Sequence, residues 1–84
     1  MDIRGGSGTG TVTVYRDKKT GANCTGANGA ENRVLTLDSA AITVLLVLVQ
    51  GSILMNTYDY TVSGQNITFI NGIDNDQLIE VVYV

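Results

Sequence analysis

The feature that most constrains this fold is a stretch of twenty residues without charge, Ser39–Tyr58. It contains six consecutive aliphatic residues, Val44–Val49, and half of them are β-branched. Such a run is typical of a strand that is covered on both faces. The stretch is long enough for a membrane-spanning helix, but Gln50, Gly51 and Asn56 interrupt it, and no Lys or Arg flanks it. We therefore predict a doubly covered β-strand and no membrane contact.

Short strand-like segments lie on both sides of this run, and turn signals separate them. The predicted strands are Thr11–Arg16, Arg33–Leu37, Val44–Val49, Ile53–Met55, Asp59–Val62, Asn66–Ile70 and Leu78–Val84. Gln50-Gly51 is a turn signal after the third strand, and Ser63-Gly64 closes the clearest hairpin. No helical period is present. The pattern predicts an all-β protein, a small antiparallel β-sandwich (immunoglobulin-like) of about seven short strands.

At 84 residues, the chain is long enough for one domain at most. Residues 1–10 are rich in glycine and serine, which predicts a flexible leader, and residues 11–84 are predicted to form the sandwich. Within that domain, residues 17–32 carry almost no apolar side chains, so we predict an exposed loop there. The last strand is apolar on both faces and must dock inside its own sheet or against a neighbour.

The commonest general base, triad partner and zinc ligand in enzymes is missing from this sequence. There is no histidine, and Cys24 is the only cysteine, so an internal disulfide and the common zinc sites are excluded. Asp74 and Asp76 begin a calcium-loop pattern whose later ligands are absent, and we interpret them as solvated turn acids. We predict no catalytic residue, no metal site, no cofactor and no enzyme activity.

Charge is distributed unevenly along the chain. Residues 1–33 carry five basic and three acidic side chains, whereas residues 34–84 carry five acidic side chains and no basic one. The net charge of −3 argues against nucleic-acid binding. We hypothesise that in an assembly the basic front of one copy meets the acidic carboxy-terminal part of another.

The carboxy-terminal part of the chain carries turn-and-strand signatures. They are Val47–Gly51, Asp59–Gly64, Ile67–Phe69, and Asp76 followed by Ile79-x-Val81-x-Tyr83. In these signatures, residues 33–84 resemble a small β-sandwich module of tailed-bacteriophage virion proteins, which occurs in tail fibres, head fibres and capsid decoration or adaptor proteins. Gln50 stands where such modules more often have Asn, and Asn75-Asp76 stands where they often have Gly-Asp.

The resemblance implies a structural virion protein without catalysis, made in the host cytoplasm. Its expected partners are further copies of itself or other virion proteins, such as the major capsid or tail protein. The candidate assembly interface consists of apolar residues of strands four and seven, namely Ile53, Leu54, Met55, Val82, Tyr83 and Val84.

A second function stays open, that of a small soluble module that recognises a glycan or a host surface. Its recognition loop would be residues 17–32, with the polar residues Lys18, Lys19, Asn23 and Asn28. Tyr15, Tyr58 and Tyr60 would supply aromatic stacking.

Overall fold

The computed structural model describes residues 13–41 and 43–84, in which the chain forms two antiparallel β-sheets. The strands are β1 Tyr15–Thr20, β2 Arg33–Thr36, β3 Val44–Val49, β4 Ser52–Ile53, β5 Tyr60–Ser63, β6 Asn66–Phe69 and β7 Leu78–Tyr83. The four-stranded sheet has the order β1-β7-β3-β4, and the three-stranded sheet has the order β2-β6-β5. The predicted all-β fold with seven short strands in two antiparallel sheets is confirmed.

The two sheets enclose one hydrophobic core. Alternate side chains of each strand point toward the opposite sheet, as the pleat of a strand requires. The largest fully buried side chains come from both sheets and from the segment after β2; they are Tyr83, Phe69, Leu35, Leu37, Ile67, Ile79, Val47 and Val81. The likeness to immunoglobulin domains lies in this two-layer arrangement. The strand order is different, because β1 pairs here with β7 and not with β2.

The last strand lies in the interior of its own sheet. β7 pairs with β1 along its whole length and with β3 from Ile79 to Tyr83. This result decides between the two predicted ways of docking that strand. It also means that both backbone edges of β7 are occupied, so β7 offers no edge to a neighbouring molecule.

The first strand is displaced from its predicted position. It was expected at Thr11–Arg16, with a turn from Asp17. Residues 11 and 12 lie outside the described residues, and β1 spans Tyr15–Thr20. The buried Asp17 carboxylate accepts hydrogen bonds from the Asp38 N–H at 2.8 Å and from the Tyr83 hydroxyl at 3.0 Å. These bonds and the pairing with β7 override the local turn preference. The predicted loop at 17–32 is therefore wrong in residues 17–20, and the predicted leader, residues 1–10, lies outside the described residues.

The side chain of Gln50, in the turn between β3 and β4, makes a contact that a shorter asparagine side chain would not reach. Gln50 and Gly51 both have positive φ, 52° and 80°, as a two-residue hairpin turn requires. The Gln50 side-chain carbonyl accepts a hydrogen bond from the Leu78 N–H at 2.6 Å, at the start of β7. The longer glutamine side chain thus connects the turn to the neighbouring strand.

The uncharged stretch forms strands and turns, as predicted, and β3 has the predicted bounds. In the ranges 13–41 and 43–84, no helix has the length and apolar character needed to cross a bilayer.

Candidate functional site

The outward faces of the two sheets differ in chemistry. Outward positions of the three-stranded sheet are mostly polar; they include Thr36, Thr61, Ser63, Asn66 and Thr68. On the four-stranded sheet, strand pairing places aliphatic side chains side by side, since Leu46 pairs with Val82 and Leu48 pairs with Ile53. We call this surface the outer aliphatic face; its members are Leu46, Leu48, Ile53, Leu78 and Val82.

Much of the outer aliphatic face is open to solvent. Ile53 is 68% exposed and Leu78 is 64% exposed, while Leu46, Leu48 and Val82 are half-buried. Contiguous apolar surface of this kind on a small protein is a mark of an interaction site. The described chain buries only the Val47 and Val49 side of β3, so coverage of both faces of this strand stays a prediction about an assembly.

A β-bulge adds another leucine to this exposed surface. Val44 pairs with Tyr83 and Leu46 pairs with Val82, so Leu45 is an extra residue on β3. The bulge breaks the alternation of the strand. As a result, the consecutive residues Leu45 and Leu46 both lie outside the core, and Leu45 is 55% exposed.

Charged side chains border the aliphatic residues, and two of them form an ion pair. Arg16 Nε lies 3.1 Å from Glu80 Oε2, and Lys18 lies opposite Glu80 in the β1–β7 register. Next to this face, Lys19 Nζ donates to Asp38 Oδ1 at 2.7 Å, and this hydrogen bond raises the pKa of Lys19. Basic residues of the front part thus meet acidic residues of the carboxy-terminal part inside one molecule. The hypothesis that they meet between copies stays a prediction.

A groove of about 410 Å³ opens beside these residues at the end of the face near the β3–β4 turn. Its walls combine the apolar side chains of Leu48 and Leu78 with Lys18, Glu80 and the Gln50-Gly51 turn. The groove is therefore amphipathic, and Glu80 lies between Lys18 and Leu48 in its wall.

The predicted interface residues do not form one surface. Ile53 and Val82 belong to the outer aliphatic face, and Met55 is 61% exposed in the turn after β4. Leu54 packs against the core, and Val84 is half-buried and pairs with Thr43 through two backbone hydrogen bonds.

Tyr83 is the clearest error of that prediction, because its side chain is fully buried. Its ring stacks on Tyr15 with a centroid distance of 5.2 Å. Its hydroxyl donates to Asp17 Oδ2 at 3.0 Å and accepts from the Ser39 N–H at 3.1 Å. Tyr83 is therefore a core residue that connects β7 to β1 and to the segment after β2.

These buried groups make the fold sensitive to alkaline pH. Burial raises the pKa values of Cys24, Tyr60 and Tyr83, because it disfavours their charged forms. A raised folded-state pKa gives stability that is complete below the unfolded pKa and is lost as the pH rises through the folded value. The unfolded values are about 8.5 for the thiol and about 10 for the phenols. We expect the free energy of unfolding to fall steadily above about pH 9.

Urea unfolding at a series of pH values measures this effect. Tyr83→Phe removes one of the titrating groups, so its loss of stability above pH 10 should be shallower than that of the unmodified protein. A free energy of unfolding that stays constant or rises from pH 9 to pH 11 would contradict the prediction.

Two of the four polar residues proposed for a recognition loop form hydrogen bonds within the fold, and the other two lie on opposite sides of β1. Asn23 Oδ1 accepts from the Thr20 N–H at 2.9 Å, and Asn28 Oδ1 accepts from the Asn75 N–H at 2.7 Å. Lys18 lies on the outward side of β1, whereas Lys19 is paired with Asp38. The structure does not bring these four side chains together. Of the three tyrosines, only Tyr58 is largely exposed, at 74%.

A buried arginine holds this loop against the rest of the molecule. Arg33 is 2% exposed, and all four of its hydrogen-bond acceptors are neutral oxygens. Its guanidinium donates to the carbonyls of Thr25 at 2.7 Å, Ile73 at 2.6 Å and Cys24 at 3.3 Å, and to Asn75 Oδ1 at 2.8 Å. One side chain thereby fixes the 24–25 segment to the 73–75 segment.

Within residues 13–41 and 43–84, no three His, Cys, Asp or Glu side chains are grouped closely enough to hold a metal ion. Sequence reasoning missed Leu46, Leu48 and Leu78 as surface residues, although the uninterrupted aliphatic run was the signal for a second apolar face.

No protein-family model matches the chain, and neither a curated protein nor a solved structure is significantly similar to it.

Proposed function

We propose that this protein is a non-catalytic structural subunit that assembles through the outer aliphatic face of its four-stranded sheet. The observation that carries the proposal is the contrast between the two sheets of one small domain. One sheet turns threonine, serine and asparagine outward, with Val34 as the exception. Strands β3, β4 and β7 of the other sheet turn leucine, isoleucine and valine outward, with Glu80 as the exception. A chain that only had to stay soluble would benefit from polar side chains on both.

The assembly that we propose is a bacteriophage virion, as a capsid decoration, head-fibre or tail component. The support for this part is the resemblance of residues 33–84 to virion modules in their turn and strand signatures. A small domain that contributes an apolar sheet face to a larger particle agrees with that role. The partners are then further copies of the chain or other virion proteins.

The alternative, a module that recognises a glycan or a host surface, has less support. Residues 21–32 are held to the 73–77 segment by backbone hydrogen bonds, among them Gly21 N–H to Gln77 O at 2.9 Å and Gly29 N–H to Ile73 O at 2.8 Å. The amide oxygens of both asparagines are used within the fold. The oxygens of these two side chains are therefore already occupied by hydrogen bonds of the fold.

A charge placed on the outer aliphatic face should abolish association. In Leu48→Glu, burying the new carboxylate against a partner would cost several kcal/mol, so we expect the variant to sediment as a monomer where the unmodified chain is associated. Thr61→Glu is the matched control, since Thr61 is an exposed outward position of the other sheet. Equal association of the two variants, or its loss in both, would contradict the proposed surface.

The virion assignment has its own test. Particles purified from cells that produce the chain should contain it in a fixed ratio to the major capsid protein, as measured by quantitative mass spectrometry. Finding the chain in the lysate but not in the purified particles would overturn the virion role and leave the assembly surface intact.

A further inference from the structure

We infer that the partner on the outer aliphatic face is a second copy of this chain, packed two-fold so that β7 of each copy lies over β3 of the other. The inference rests on the proposed function, and it adds the identity and the orientation of the partner. Three features of the face lead to it: the ion pair of its one acid, the difference between its two edges, and a protruding side chain that matches a groove.

The outward side of this sheet carries Arg16, Lys18 and Glu80, and its one acid can be buried against an identical face as part of an ion pair. Glu80 is its only acid, and Arg16 neutralises Glu80 at 3.1 Å. The long stems of Arg16 and Lys18 can cover apolar surface while their charged ends reach water. A pair of identical faces therefore avoids an unpaired buried charge, which is the main obstacle to such packing.

The edges of the four-stranded sheet select one orientation. On its outward side, the β1 edge carries Lys18 and the Arg16 that pairs with Glu80, whereas the β4 edge, Ser52–Ile53, carries no charged side chain. A two-fold axis across the strands would place β1 over β1 of the partner and would oppose like charges. A two-fold axis along the strands, between β7 and β3, places the basic β1 edge over the partner's β4 edge.

In this orientation a protrusion meets the groove. Ile53 projects from β4 with 68% of its surface exposed, and it shares a row of the sheet with Leu48, Glu80 and Lys18. The axis along the strands carries Ile53 of one copy to the β1 side of that same row on the other copy. There it lies beside the groove of about 410 Å³ lined by Lys18, Glu80 and Leu48. Each copy supplies one protrusion and one groove, as a two-fold interface requires.

The size of the face sets the expected strength. Four strands at about 4.8 Å spacing and six residues at about 3.3 Å per residue cover roughly 400 Å². A stable standard interface buries about 800 Å² of accessible surface per partner. We therefore expect reversible pairing in solution that further contacts in a particle would reinforce.

Cross-linking of single-cysteine variants tests the orientation. In a Cys24→Ala background, Lys18→Cys and Ile53→Cys are prepared as separate proteins, together with Thr61→Cys as a control for random collision. Each protein alone and the equimolar mixture of the first two are treated with a bis-maleimide that spans about 10 Å, the separation of packed sheets. Circular dichroism and sedimentation first establish that each variant folds and associates.

The expected result is a covalent dimer in the Lys18→Cys and Ile53→Cys mixture, with a yield several-fold above that of either protein alone or of Thr61→Cys. Dimers that form equally well from Lys18→Cys alone would support β1 over β1 and overturn the inference. Association in sedimentation without cross-linking above the control would also overturn it, while the proposed surface would stand. A monomer at every concentration would overturn both.

Discussion

Replacing Arg33 with methionine is expected to lower the free energy of unfolding by about 3–5 kcal/mol, because it leaves several buried acceptors without a donor. The guanidinium donates to three backbone carbonyls and to Asn75 Oδ1, and it is 2% exposed. Methionine fills similar space without a polar group. Small domains have total stabilities of only about 5–15 kcal/mol, so much of the population would be unfolded at moderate temperature.

Arg16→Met is the matched control for this prediction. Arg16 also contacts an acceptor, Glu80 at 3.1 Å, but its side chain is 60% exposed, so we expect a change of less than about 1 kcal/mol. Arg33→Lys keeps the charge but loses the fork geometry, and it should recover only part of the loss. Urea unfolding at one fixed protein concentration measures all three variants. Equal effects at positions 16 and 33 would contradict the role of Arg33 in holding the 24–25 segment to the 73–75 segment.

Gly21→Ala is expected to destabilise the fold by about 3 kcal/mol or more, because its new methyl group has no space. A Cβ at Gly21 would overlap the carbonyl oxygen of Asp74 and would lie 2.9 Å from Ile73 Cγ2. The main obstacle is backbone, which cannot turn away as a side chain can. The 3₁₀ turn that begins at Gly21 would have to separate from the 73–77 segment.

Gly64→Ala separates this steric effect from the general cost of replacing a glycine. Gly64 has φ +59°, and a Cβ at this position would have no atom within 4 Å. Alanine there would be destabilising only through its backbone conformation, by about 1 kcal/mol. Thermal unfolding of the two variants should therefore show a clearly larger loss for Gly21→Ala. A smaller loss at Gly21 than at Gly64 would show that the loop does not pack closely against the 73–77 segment.

Strand positions were predictable where local pattern and tertiary pairing agree. The run Val44–Val49 is apolar, and the β5–β6 hairpin has an alternating pattern and a Gly64-Gln65 turn, one residue later than the predicted Ser63-Gly64. β1 was misplaced because Asp-Lys-Lys-Thr-Gly has turn preferences that pairing with β7 and the buried Asp17 override. Such a long-range contact leaves no trace in a local pattern.

The candidate site was predictable in kind but not in position. An excess of aliphatic residues for so short a chain indicated an assembly surface, and the sequence placed it partly on Ile53 and Val82. It could not indicate that β7 lies between β1 and β3, which buries Tyr83 and turns Leu48 and Leu78 outward. Nor could the sequence indicate that Arg33 is buried and connects two loop segments, since an acceptor such as the Ile73 carbonyl is remote in sequence.

The central claim is that the outer aliphatic face is buried against another molecule in the functional assembly. A second copy of the chain is the partner that we propose. Sedimentation equilibrium of the unmodified 84-residue chain tests it most directly. We expect the average mass to rise above the monomer value of 8.9 kDa between low micromolar and near-millimolar concentration. A mass of 8.9 kDa over that whole range would contradict self-association through this face.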